Sequence, residues 1–87
     1  NPGLASIWRA QSRVLMRMGD LDQATIIAGR AVVMEQANPQ NYRTRAFIAE
    51  AAEQERAAEL DREEARALEE AMDERLEEAR RQRMLVQ

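Results

Sequence analysis

The stretch Gly19-Asp20-Leu21-Asp22-Gln23-Ala24 decides how this chain folds. Glycine takes the left-handed conformation at a helix end at little cost, so Gly19 closes a helix. Asp20 follows at once and caps a new one, with Gln23 three residues on in a capping-box pattern. Asp22 adds negative charge near the positive end of the new helix dipole. One helix stops and the next starts within two residues, which is the pattern of a helical hairpin.

Outward toward the N-terminus, Leu4, Ile7, Trp8, Val14, Leu15 and Met18 recur at helical steps, interrupted in the middle by Gln11 and Ser12. Asn1-Pro2 suits the start of that helix, with Asn as the cap and Pro in the first turn, where its missing N–H is not needed. On the other side, Leu21, Ala24, Ile27, Ala28, Ala31, Val32 and Met34 form an apolar face. The small residues Ala24, Ala28 and Ala31 let two helix axes approach closely. The second helix is expected to run to about Ala37, where Asn38-Pro39 stops it.

From Gln40 to Gln87 there is no Gly and no Pro, and strong helix formers dominate. The expectation is one unbroken helix of about 45 residues, about 70 Å long. The fold class predicted is therefore all-α: a helix-turn-helix over residues 1–39, then a long charged helix over 40–87. The first part of that helix, with Tyr42, Ala46, Ile48, Ala49 and Ala52, packs on the hairpin. Further along, Leu60, Ala67, Leu68, Ala71, Met72, Leu76 and Ala79 make a narrow, alanine-rich stripe. Leu60, Leu68, Met72 and Leu76 are its candidate oligomer seam. Ion pairs are expected for Glu77–Arg81, Glu59–Arg62 and Glu63–Arg66. Arg75 and Arg83 fall near seam positions and interrupt the heptad. A solvated or partner-docked helix and a coiled coil are both open.

Composition narrows the chemistry. With 87 residues the chain buries a limited core, so stacking, a partner or self-association should add to its stability. It has no Cys and no His, which removes disulfides, thiol nucleophiles, common zinc ligands and the usual general base. No nucleophile, base and pocket come together, so the expectation is a non-enzyme with no cofactor and no metal. All 13 basic residues are Arg. Residues 1–45 hold six Arg against three acids, and residues 46–87 hold seven against thirteen. A net charge of −3 argues against nucleic acid as a partner. No apolar run is long enough to span a bilayer, and no signal peptide is expected within these residues. Arg9, Arg13 and Arg17 stand four apart and stack on one helical face, a fork-like receptor for carboxylates or an acidic peptide.

The segment 1–39 resembles a tetratricopeptide repeat. Trp8, Leu15, Gly19-Asp20, Leu21-Asp22-Gln23-Ala24, Ala28 and Ala31 fall in register, with Ser12 as a small residue where Gly is usual. Gln11 replaces the usual Leu, Ala28 stands where the family has an aromatic, and Pro39 comes about three residues late. The segment after Pro39 is similar to the first helix of a second repeat, with Ile48, Ala49 and Ala52 at packing positions. Glu55-Arg56-Ala57-Ala58 continues the helix where a second turn is due. The resemblance implies recognition of a protein or peptide in a groove lined by first-helix residues: Ser6, Arg9, Arg13, Met16 and Arg17, with Arg43 from the next helix. A narrower resemblance runs through Asn1-Pro2, Ile7-Trp8, Arg17-Met18-Gly19-Asp20, Gln23-Ala24, Arg30-Ala31, Asn38-Pro39 and Ile48-Ala49-Glu50-Ala51. These look like the periplasmic repeat domain of bacterial lipoproteins that activate peptidoglycan synthases. It implies a periplasmic location and a penicillin-binding protein as partner.

Overall fold

The computed structural model describes residues 3–86. Among them are four helices: α1 Leu4–Arg17, α2 Leu21–Met34, α3 Pro39–Ala51 and α4 Glu55–Val86. The expected start at Asn1-Pro2 lies outside the described residues. The α1–α2 turn forms as the sequence demands. Gly19 has φ +86°, its N–H donates to the Met16 carbonyl, and the Asp20 N–H donates to the Leu15 carbonyl. Those two bonds cap the last free carbonyls of α1. The Asp20 side chain then accepts from the Gln23 N–H at 3.2 Å, which starts α2.

Two expected boundaries move. Helix α2 ends at Met34 rather than near Ala37. The cause is Asn41, whose side-chain amide donates to the carbonyls of Ala31 and Glu35, at 2.9 Å each, and satisfies the helix end there. Asn38-Pro39 opens the next helix: Asn38 Oδ1 accepts from the Gln40 N–H at 3.0 Å, and Pro39 takes the first helical position.

The all-α expectation of a hairpin and a long C-terminal helix holds, since α4 alone spans 32 residues. The unbroken run from Gln40 does not. The chain reverses at Ala52-Glu53-Gln54, with Glu53 at φ 60°. The Glu53 N–H donates to the Glu50 carbonyl and the Gln54 N–H to the Ala49 carbonyl, the same two-bond closure as at Gly19-Asp20. A glutamate therefore does what glycine does in the first turn. Its left-handed backbone carries a penalty of about 1–2 kcal/mol, which the packing of α4 against α3 offsets.

The two turns fall at positions 19 and 53, a spacing that matches the repeat length of about 34 residues in tetratricopeptide arrays. That spacing recurs in the core. Ala5 and Pro39, Ser12 and Ala46, Ala24 and Ala58, Ile27 and Asp61, and Ala31 and Ala65 are all buried. A period of this size is the mark of helix-turn-helix repeats, in which each unit buries its face on the next. Accordingly α1 packs on α2, α3 packs on α4, and α3 also lies against α2 and more lightly against α1. Ile48, fully buried, sits on Ala24 and Ala28 with Leu15 and Met16 beside it. Small residues at those two sites let α3 come close enough for this contact.

Helix α4 outgrows the repeat. Its counterpart α2 ends at Met34, equivalent to Leu68, yet α4 continues to Val86. Where Asn38-Pro39 breaks the first unit, the equivalent residues are Met72-Asp73, and nothing stops the helix there. Residues 70–85 are exposed throughout. Of the expected ion pairs in α4, Glu59–Arg62 forms at 3.2 Å. Arg66 instead reaches back two turns to Glu59, and Arg81 pairs with Glu78, one residue on from the expected Glu77. Among the described residues no helix is long and apolar enough to cross a membrane.

Candidate partner-binding surface

The positions that the sequence singles out on α1 fall into two groups. Arg9 is largely occupied inside the fold. Its guanidinium donates to Asn41 Oδ1 at 2.6 Å and lies 3.9 Å from Glu35, with 18% of its side chain exposed. Asn41 is itself fully buried, and its amide holds the end of α2. Arg9 thus joins α1 to α3 through a buried polar network in which every partner is satisfied. Arg13 leans the same way, toward Thr44 Oγ1 at 3.4 Å. Arg17, one turn further, is exposed, and no ion pair or hydrogen bond is formed by its side chain among the described residues.

Arg43 occupies the position of Arg9 in the second repeat and reproduces its clasp: its Nε donates to Glu69 Oε1 at 2.7 Å, as Arg9 approaches Glu35. In the second hairpin the pair is open to solvent, because no asparagine from a further helix enters between its members. The four arginines expected to bind a partner are therefore not equivalent. Two hold α1 to α3, one holds α3 to α4, and Arg17 remains available.

Next to Arg17 in sequence, Met16 of α1 lines an open groove of about 440 Å³ together with Phe47, Glu50 and Ala51. Phe47 is 58% exposed. An exposed aromatic beside a half-buried methionine is the kind of anchor that protein partners use. The arginine pattern on α1 does not lead to Phe47. The signal that finds it is the repeat spacing, which places Phe47 at the position of Arg13.

The seam residues expected on α4 also divide. Leu68 is half-buried, and Met72 and Leu76 continue its stripe past the start of α3, where they line a groove with Pro39, Gln40 and Arg43. Leu60 does not belong with them. It lines a separate groove with Thr25 of α2, Ala49 of α3 and Ala57 of its own helix.

One ion pair is embedded between α3 and α4. Arg45 Nε and NH2 donate to Asp61 Oδ2 and Oδ1, each at 2.9 Å, in a two-pronged geometry. Its guanidinium also lies 5.8 Å from the Tyr42 ring centre. The hydrogen bond to Asp61 raises the Arg45 pKa above its ordinary value, against the opposing effect of desolvation. Asp61 is buried, so this pair clamps the second hairpin shut. Among the described residues no cluster of acidic side chains could hold a metal ion.

Fold and surface together define an all-α protein of two repeated helical hairpins with an overlong last helix. Comparison with protein-family models, curated proteins and solved structures finds no match.

Proposed function

We propose that this chain is a non-catalytic protein-interaction module of the tetratricopeptide-repeat kind, which binds an acidic, partly apolar protein segment on the shared face of α1 and α3. The observation that carries this is the exposed Phe47 beside Met16, which is followed along α1 by Arg17, a residue whose side chain has no partner among the described residues. The recurrence of buried small residues at the repeat spacing supports the repeat class independently. Arg17 steers a carboxylate, and Phe47 supplies the desolvated contact that holds it.

The test is capture of the physiological partner by the intact chain and by Arg17→Glu with Phe47→Ser, with helicity measured alongside. Lost capture at unchanged helicity supports this function, and undiminished capture removes it. Arg9 and Arg13 are unsuitable probes, since changing them disturbs the α1–α3 junction.

The finer proposal is a periplasmic regulator of a bacterial peptidoglycan synthase. It rests on the resemblance of the segments from Asn1-Pro2 to Ile48-Ala49-Glu50-Ala51. Calorimetric titration with a bifunctional penicillin-binding protein tests it, and absence of binding at high micromolar concentration removes it. A second role, self-association through the long helix, is favoured by the exposure of Met72 and Leu76 beyond the end of the hairpin contact. Sedimentation equilibrium of the whole chain decides it. A monomer throughout the micromolar range would end it, and a dimer that Met72→Ser with Leu76→Ser dissociates would support it.

A further inference from the structure

The two ends of the hairpin stack differ in chemistry. Toward the preceding hairpin, α3 buries Asn41, Thr44 and Ile48. Their equivalents on α1, one repeat earlier, are Ile7, Ala10 and Val14, and all three are exposed, Ile7 to 60% and Val14 to 52%. Three apolar side chains left open on one helix face mark an interaction site.

The register confines the site to α1: the counterparts of Gly29 and Arg30 one repeat later are Glu63 and Glu64, exposed on α4, a helix that packs on α3 and not on α1 or α2.

The far end is closed. Where the first hairpin offers Met16 and Ala28 to Ile48, the second has Glu50 and Arg62, joined at 2.7 Å, with Arg62 also 3.2 Å from Glu59. A charged outer face of this sort ends a stack.

We infer that the outer face of α1 is a docking site for one more helical hairpin of the same build, seated on α1 as α1 and α2 are seated on α3. The register gives its chemistry. Its second helix presents two small residues four apart to Val14, as Ala24 and Ala28 meet Ile48, and its C-terminal end to Ile7, as the end of α2 meets Asn41. Its first helix carries small or apolar side chains where Arg9 and Arg13 stand, because Ile7 and Ala10 replace their polar partners Asn41 and Thr44. A second copy of this chain docked head to tail is a poor occupant, since it buries the Glu50–Arg62 pair under Val14.

The test supplies such a hairpin in register. A second copy of residues 1–34 is placed directly ahead of Asn1, with Arg9→Ala and Arg13→Ala in the added copy only. Urea unfolding is compared with that of the original chain. The expected result is one cooperative transition with a higher midpoint and a steeper denaturant slope, since more surface is buried in one unit. Ile7→Glu with Val14→Glu in the receiving hairpin should abolish both gains, while leaving the midpoint of the original chain close to its starting value. Two separate transitions, or an unchanged midpoint, would overturn the proposal. So would an original chain that sediments as a dimer and is dispersed by Ile7→Glu with Val14→Glu, because the patch would then belong to a second copy.

Discussion

The first hairpin, α1 with α2, and the second, α3 with α4, bury small residues at matching positions but secure the rest of their contacts by different chemistry. Ile27 is buried in the first hairpin where Asp61 is buried in the second, and Gln11 stands where Arg45 reaches that carboxylate. The first turn uses Gly19 and the second uses Glu53. Val14 is exposed on α1, and Ile48 is fully buried on α3. The lesson is that the backbone repeat depends on a few small residues and two turns. Everything between is free to serve as junction, clamp or exposed surface.

The largest expected effect separates two residues that the repeat makes equivalent. Ile48→Ala should destabilise the chain by about 3–4 kcal/mol, because a fully buried isoleucine leaves a cavity. Val14→Ala, at the same place in the first unit, should stay within about 0.5 kcal/mol. Urea denaturation measures both, and equal losses would break the comparison.

Next comes the clamp. Asp61→Ala strands the Arg45 guanidinium against Tyr42 and should cost about 2–3 kcal/mol, the pair being partly exposed. Writing the first hairpin's residues into the second, Asp61→Ile with Arg45→Gln, should return stability to within about 1 kcal/mol of the starting chain. Additive losses in thermal unfolding would contradict the equivalence of the two sites. Because the folded state raises the Arg45 pKa, the arginine's share of this stability is complete below its ordinary pKa and is lost only as the pH rises through the folded value. Neutral to mildly alkaline pH should leave the clamp intact.

The turns differ by less. Glu53→Gly should stabilise the chain by about 0.5–1 kcal/mol, since relief of the left-handed penalty is partly offset by the greater freedom of glycine when unfolded. Gly19→Glu should lose about 1–2 kcal/mol. Chain stability by urea titration checks both signs. The smallest effect is expected at the far end of α4. A stop after Glu70 keeps the Arg43–Glu69 contact and should move the unfolding free energy by no more than about 0.5 kcal/mol, while lowering the helical circular-dichroism signal.

Much of the first hairpin was legible because its signals are local. Gly19, Asp20 and Gln23 state the turn, and Ala24, Ala28 and Ala31 state the close helix contact. The second turn was not, because no residue at 52–54 is a helix breaker. Glu53 takes its left-handed backbone under tertiary contacts, and propensity alone favours continuing the helix. What the residues did hold was the spacing: Ala24 with Ala58 and Ala31 with Ala65. The arginine face was legible as a face, yet the roles of its members depended on Asn41, Thr44 and Glu69, which are distant in sequence. A helical wheel of α1 alone does not show that Arg9 and Arg13 lie against α3.

The central claim is that the chain folds back at Glu53 and so repeats its hairpin. Gln40 and Asp73 line one groove in this structure, and the chain has no cysteine of its own, so Gln40→Cys with Asp73→Cys can be spin-labelled cleanly. Electron–electron distance measurement should give a separation of about 10–20 Å, as expected for labels on neighbouring helices. A separation of about 50 Å, the rise of an unbroken helix between those positions, would contradict the account.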